Sequence, residues 1–297
     1  MILNFLKRAL ILVGLASAAS AAPQPAQPAA RPALWQVSDP DTTIYLFGTI
    51  HLLPGDYEWR TPRFEKVVAR SDSLVVETII DPQHPQALAA VLAKLGYSPG
   101  LPPIAERVDP AKRPLLEAAM AKTGIPRAAF DRMETWAAAF TLLGVQFRSA
   151  GVAGKEGVEE SLRQSFGAAG KPVGQLETNA EQLGFFDTLS EQAQRALLEG
   201  AVQAPDNFRA DFGTMLRSWA NGDVESIART FNRDLADSPE LRDALLEQRN
   251  VNWSKWIEKR LAQPGTVMVA VGAGHLAGPD SVQSLLESAG YRVKRIQ

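Results

Sequence analysis

Two short motifs near opposite ends of the chain share one form. Gly48-Thr49-Ile50-His51 follows the apolar, β-rich run 43–47, and Gly272-Ala273-Gly274-His275 follows the run 267–271. A strand that ends in glycine and then imidazole delivers a reactive side chain to the carboxyl edge of a sheet, where open α/β proteins bind ligands. Two such deliveries from distant parts of the chain imply one site closed from both halves. The chain has only three histidines, and these motifs hold two of them. The glycines permit tight turns and close approach of backbone to a ligand.

The remaining organisation agrees with an α/β chain. Residues 34–37 and 43–47 flank Ser38-Asp39-Pro40-Asp41, which predicts a β-hairpin with His51 at its exit. A short helix is expected over 60–70. The nearly continuous apolar run 73–80 predicts a strand buried on both faces. The middle reads as helical. Met133, Trp136, Ala137, Phe140, Leu143, Gly144 and Phe147 recur at helical spacing as a packing stripe. Further helices are expected over 156–167, 190–201, 207–220, 224–235, 239–261 and 280–289. Strands are expected over 171–176, 267–271 and 291–296. Thr178-Asn179-Ala180-Glu181 fits a capping box. The expected fold is a single α/β domain over 34–297, with a central mixed sheet, many helices and a helical middle segment as a candidate lid. A weak echo, Glu77-Thr78 after one strand and Glu177-Thr178 after another, raises a degenerate duplication.

Residues 1–21 read as a signal peptide. Lys7 and Arg8 precede an apolar stretch too short to span a membrane, and Ala19-Ser20-Ala21 supplies a cleavage pattern. Residues 22–33, rich in Ala and Pro, read as a linker. The expected location is therefore the periplasm or the exterior, with an uncleaved N-terminal anchor as the alternative. No stable membrane span is expected after cleavage. A net charge of −2 gives no basic footprint, so nucleic acid is not an expected partner. The absence of cysteine excludes disulfides, thiolate metal sites and a cysteine nucleophile.

Four further features carry chemistry. Glu77 interrupts an apolar strand, where a carboxylate needs a partner or an ion. Glu177 occupies the matching place in the second half. Arg249 lies on the core-facing stripe of its helix, in line with Leu241, Leu245, Trp253 and Trp256, and needs a carboxylate or an anionic ligand. Asn250 is adjacent. Two imidazoles with one or two carboxylates, namely His51, His275, Glu77 and Glu177, form a set for a divalent metal such as Mn, Co, Fe or Zn. A bound water activated there would attack a carbonyl, and Arg249 would stabilise the oxyanion. His84, in a proline-flanked turn, reads as an exposed bystander. No HExxH, GxSxG, P-loop or GxGxxG motif occurs.

The chain resembles the TraB/GumN family, related to the Tiki metalloproteases. The resemblance lies in Leu34-Trp35-Gln36-Val37 with Tyr45 to His51, Val76-Glu77, Met133 with Trp136, Gly157-Val158-Glu159, Gln175 to Thr178 followed by Gln182, Arg249-Asn250 with Trp253, and Val269 to Gly278. It implies one α/β domain whose site uses both histidines, Glu77 and an arginine best matched by Arg249. It further implies a divalent-metal-dependent protease acting on extracellular peptides or proteins. The wider superfamily implies erythromycin-esterase-like hydrolases and haem-binding proteins.

The leading expectation is an exported, metal-dependent, peptidase-like hydrolase. His51 and His275 bind metal with Glu77 and Glu177; Glu77, Arg249, His51 and His275 are the catalytic candidates, and the partner is a peptide or protein substrate. The alternatives are a metal-independent esterase-like hydrolase, with His51 as general base oriented by Glu77, and a non-enzymatic envelope protein that binds haem or another ligand.

Overall fold

Asp39 turns the chain between its first two strands, accepting hydrogen bonds from the backbone N–H groups of Asp41 and Thr42. The strands β1 (Leu34–Ser38) and β2 (Thr42–Thr49) pair antiparallel, with Leu34 opposite Phe47. This is the expected hairpin. Four more strands, β3 (Ser73–Val76), β4 (Val173–Gln175), β5 (Gly265–Gly272) and β6 (Val293–Arg295), complete a sheet of order β4-β3-β5-β2-β1-β6. Neighbours among β4, β3, β5 and β2 are parallel, while β1 runs against both β2 and β6. The result is the expected single α/β domain on a mixed sheet. This computed structural model describes residues 30–54, 57–81, 83–149, 157–203, 208–235 and 238–297. The expected signal peptide and most of the linker lie outside the described residues.

The two central strands explain the core. Alternate residues of a strand point to opposite faces, so β2 and β5 feed two cores at once. Tyr45, Phe47, Met268 and Ala270 pack with Phe64 and Val67 of the helix Pro62–Arg70, and with Val158, Leu162 and Phe166 of the helix Val158–Ala168. Ile44, Leu46, Val267, Val269 and Val271 face the other way. They meet Trp253, Ile257 and Leu261 of the helix Gln248–Leu261, and Val282 and Leu286 of the helix Val282–Ser288. The helical middle has its own core. Met133, Trp136, Ala137 and Leu143 of the expected stripe are buried there against Leu197 and Leu198. Among the described residues, no helix is long and apolar enough to cross a membrane.

Three differences from the sequence reading have local causes. The strand expected over 73–80 stops at Val76. Beyond it, the Glu77 carbonyl still accepts the backbone N–H groups of Leu176 and Glu177, and side chains then take over: Ile79 N–H donates to Gln175 Oε1, and Asn179 Nδ2 donates to the Ile79 carbonyl. The helix expected over 239–261 contains a π turn, Asp243–Glu247, where the Gln248 N–H reaches the Asp243 carbonyl. Such turns widen a helix by one residue and commonly mark functional positions. The linker was expected to run to residue 33. Ala30 and Ala33 are instead buried, and Arg31 N–H donates to the Ala220 carbonyl, so residues 30–33 are seated on the domain.

Candidate active site

Four neighbouring parallel strands each end in one candidate residue. Reading across the sheet, β4 leads to Glu177, β3 to Glu77, β5 to His275 and β2 to His51. The residues expected from the two halves are thus brought to one carboxyl edge. Gly272, the last residue of β5, marks their meeting point. A Cβ placed there would lie 3.0 Å from Glu77 Oε1, 3.6 Å from His275 Cδ2 and 4.0 Å from His51 Nε2.

Arg249 is the hub of the buried half of the site. Its Nε donates to Glu177 Oε1 at 3.0 Å, and its Nη2 to Glu77 Oε2 at 2.7 Å and Glu177 Oε2 at 2.8 Å. Its Nη1 meets the Leu245 carbonyl at 3.4 Å and His275 Nε2 at 3.2 Å. A guanidinium has five N–H donors, and all five have partners inside the protein. The guanidinium also lies over the Trp253 ring at 4.6 Å, while Trp253 Nε1 donates to Glu177 Oε1. Burial would drive protons onto both carboxylates. At Glu77 the Arg249 charge, the two histidines and the Gly272 N–H overcome it and hold the pKa down at about 2. At Glu177 burial wins and the pKa is raised, although Arg249 opposes it.

Glu77 keeps one free direction. Oε2 accepts from Arg249 and from Gln182 Nε2 at 3.3 Å, and Oε1 accepts from Gly272 N–H at 2.6 Å. A carboxylate offers about four lone-pair positions, so Oε1 retains one toward the Gly272 point.

The two histidines are held in opposite states. His275 is buried, its ring 4.3 Å from that of Trp253. Its Nδ1 lies 2.7 Å from Asn250 Oδ1, and Asn250 Nδ2 donates to the Asp280 carbonyl, which fixes the amide orientation. Arginine only donates, so His275 Nε2 accepts and Nδ1 carries the hydrogen. This tautomer follows from the network. Burial and the adjacent Arg249 charge lower its pKa to about 3. His51 is half-buried, and its Nδ1 lies 2.7 Å from Glu159 Oε1. Burial would lower its pKa as well, but the Glu159 carboxylate overrides that and raises it to about 9. Among the described residues, His51 Nε2 has no hydrogen-bond partner.

Glu159 was missed by sequence reasoning as a site residue. It lies in the first turn of the helix Val158–Ala168, where an acidic residue is ordinary because it suits the helix dipole. Only its neighbour was a distinctive signal. A Cβ on Gly157 would lie 2.2 Å from the His51 carbonyl oxygen, so glycine alone lets the helix start against the His51 backbone. Val158 N–H donates to the Ile50 carbonyl, and Thr49 Oγ1 donates to Glu159 Oε1. The expectation that Glu77 orients His51 is corrected: Glu159 does so, while Glu77 is committed to Arg249 and Gly272. His84 is exposed beside Asp81, as expected.

As arranged, the donor set does not fit a divalent ion. The His275 Nε2 lone pair is spent on Arg249, and the guanidinium lies among the donors an ion would need. Among the described residues, no three His, Cys, Asp or Glu side chains cluster so as to hold one.

Comparison with known proteins places the chain. The model of the TraB/PrgY/gumN family matches residues 33–295, and the chain belongs to that family. The uncharacterized protein YbaP of Escherichia coli (strain K12) is 26% identical over 243 residues, covering 82% of this chain and 87% of YbaP. YbaP of Shigella flexneri is 26% identical over 242 residues, with the same coverage of each chain. No solved structure matches.

Proposed function

We propose that this TraB/PrgY/gumN family member is a hydrolase of acyl bonds, peptide or ester, in which Glu77 and His51 are the working pair and no metal is required. The observation that carries the reading is their common aim. A carboxylate held ionised and an imidazole held protonated both face the Gly272 point, one with a free lone pair and the other with a free Nε2–H. Two titratable groups pushed to opposite states by their surroundings are the mark of an acid–base assignment. Among the described residues, no thiol or histidine-activated hydroxyl competes with water. The chain has no cysteine, and among the described residues no hydroxyl is bonded to His51 Nε2.

In this mechanism Glu77 Oε1 orients a water and takes its proton as the oxygen attacks the carbonyl carbon. His51 Nε2–H faces the oxygen that gains charge, then gives its proton to the departing amine or alcohol. The proton on Glu77 returns to His51 by way of solvent. Glu159 keeps the imidazole charged and aligned. Arg249 holds Glu77 in place; with every donor engaged, it is not free to meet an oxyanion.

The metal-dependent form is the second reading. One observation favours it: each imidazole has Nδ1 held by an oxygen acceptor, the arrangement usual behind metal-bound histidines. It requires Arg249 to leave His275. Action on peptides or proteins outside the cytoplasm rests on the sequence of residues 1–21 and on the resemblance to Tiki-like and esterase-like proteins.

The test is hydrolysis of peptide and ester libraries by protein purified without a histidine tag and stripped of metal. Turnover should persist in the stripped protein and disappear in Glu77→Gln and His51→Gln. It should also fall above about pH 9, as His51 loses its proton. Turnover only after Mn²⁺, Co²⁺, Fe²⁺ or Zn²⁺ is added supports the second reading. No turnover in any preparation contradicts both.

A further inference from the structure

The matched motifs invite the assumption that their histidines are equivalent, but their surroundings part at Nε2: in each ring Nδ1 meets an oxygen, a carboxylate for His51 and an amide for His275. Both His275 nitrogens are engaged, and its ring packs on Trp253. His51 is tied at Nδ1 alone. We infer that the two motifs have divided duties: His51 meets the substrate, whereas His275 is a positioning residue that, as a neutral imidazole held by Asn250, locks Arg249 across Glu77 and Glu177. The inference rests on the hydrolytic reading of the site and assigns work within it.

The hydrogen bonds run in one direction only. Asn250 Nδ2 donates to the Asp280 carbonyl, which leaves Oδ1 to accept from His275 Nδ1–H. His275 Nε2 must then accept from Arg249 Nη1. Arg249 in turn donates from Nη2 to Glu77 Oε2, whose other oxygen faces the Gly272 point. Reversing the His275 tautomer would set two donors against each other at Nε2 and two acceptors at Nδ1. The chain thus fixes the rotation of the guanidinium, and the guanidinium fixes the carboxylate. Without the His275 acceptor, Nη1 retains only the 3.4 Å contact to the Leu245 carbonyl. Arg249 is then free to turn about its remaining bonds to Glu177. A small displacement of a reacting group lowers a rate by about 10²-fold, so His275 would govern turnover without touching the substrate.

Histidine-selective ¹⁵N NMR and kinetics test this together. In the wild-type protein the His275 resonances, assigned by their loss in His275→Gln, should show an Nδ1–H, Nε2-acceptor imidazole. Addition of Zn²⁺ or Mn²⁺ should leave them unmoved. A glutamine amide supplies one acceptor and one donor. His275→Gln should therefore retain the wild-type KM and the shape of its pH profile, with kcat lowered by roughly tenfold or less. His275→Ala should lose about 10²-fold or more in kcat. An Nε2–H or doubly protonated His275, a metal-induced shift at Nε2, or a glutamine variant as impaired as alanine would overturn the inference. If the protein hydrolyses nothing, the hydrolytic reading fails. The tautomer still decides whether the lock exists, because it is read in the wild-type protein without any turnover.

Discussion

At the scale of single residues, the chemistry lies in how unlike environments treat like groups. His51 beside Glu159 and His275 beside Arg249 start from one ordinary value, 6.5, and end near 9 and near 3. The consequences for stability have opposite signs. The folded state holds the His51 proton more tightly than the unfolded chain. That contribution is complete below about pH 6.5 and is lost as pH rises through about 9. The folded state resists protonation of His275, so stability falls as pH drops from about 6.5 toward 3. Glu77, held near 2, adds its own loss below its ordinary 4.5. Urea unfolding across pH should show a maximum near pH 6.5. His51→Gln should flatten the alkaline side and His275→Gln the upper acid side; unchanged limbs in both variants would refute the assignment. Gly272→Ala is a second test. Its backbone, φ −49° and ψ 134°, suits alanine, but the new Cβ would sit at the meeting point, 3.0 Å from Glu77 Oε1. Folding should survive while substrate turnover falls by 10²-fold or so, a loss of roughly 3 kcal/mol in transition-state binding. Full activity would place the reacting centre elsewhere.

At the scale of elements, what the sequence reveals depends on whether a local rule is in charge. The hairpin was legible because Asp39 supplies turn chemistry between two β-rich runs. The capping box at Thr178 was legible because both of its hydrogen bonds lie within four residues. The end of β3 was not, because Ile79 and Ile80 continue the apolar pattern while side chains distant in sequence take their backbone groups, Gln175 and Asn179 those of Ile79 and Arg163 the Ile80 carbonyl. The π turn before Arg249 was also hidden, since it adds no proline or glycine to the helix. Glu159 was hidden for another reason: its partner His51 lies more than a hundred residues away, and apart from the adjacent Gly157 it looks like any acid in a first turn. The start of its helix offers a test. Gly157→Ala would push a methyl group into the His51 carbonyl, where backbone rather than a flexible side chain must yield. The expected cost is about 1–3 kcal/mol, read as a lowered urea midpoint, with loss of the raised His51 pKa as Glu159 withdraws. A variant with wild-type stability and an unaltered His51 would mean that the helix docks with more freedom than its contacts indicate.

At the scale of the whole molecule, one sheet converts sequence distance into proximity. The order β4-β3-β5-β2 places Glu177, Glu77, His275 and His51 side by side at one carboxyl edge, although the two histidines come from opposite ends of the domain. That convergence was legible in the paired motifs. The interior wiring was not, because it depends on which partners a third element, the helix Gln248–Leu261, brings to each strand end. Arg249 and Asn250 are consecutive, yet Arg249 grips the carboxylates and Nε2 of the imidazole while Asn250 holds its Nδ1. The central claim is that the fold holds His51 as a proton donor, opposite an ionised Glu77, by pairing it with Glu159. It is tested most directly by following the His51 imidazole by NMR through a pH titration of the wild-type protein and of Glu159→Gln. The expected result is a midpoint of about 9 in the wild type that falls by more than one unit in the variant, while His275 stays neutral in both. A wild-type midpoint near 6.5, or one near 9 that Glu159→Gln leaves in place, would contradict it.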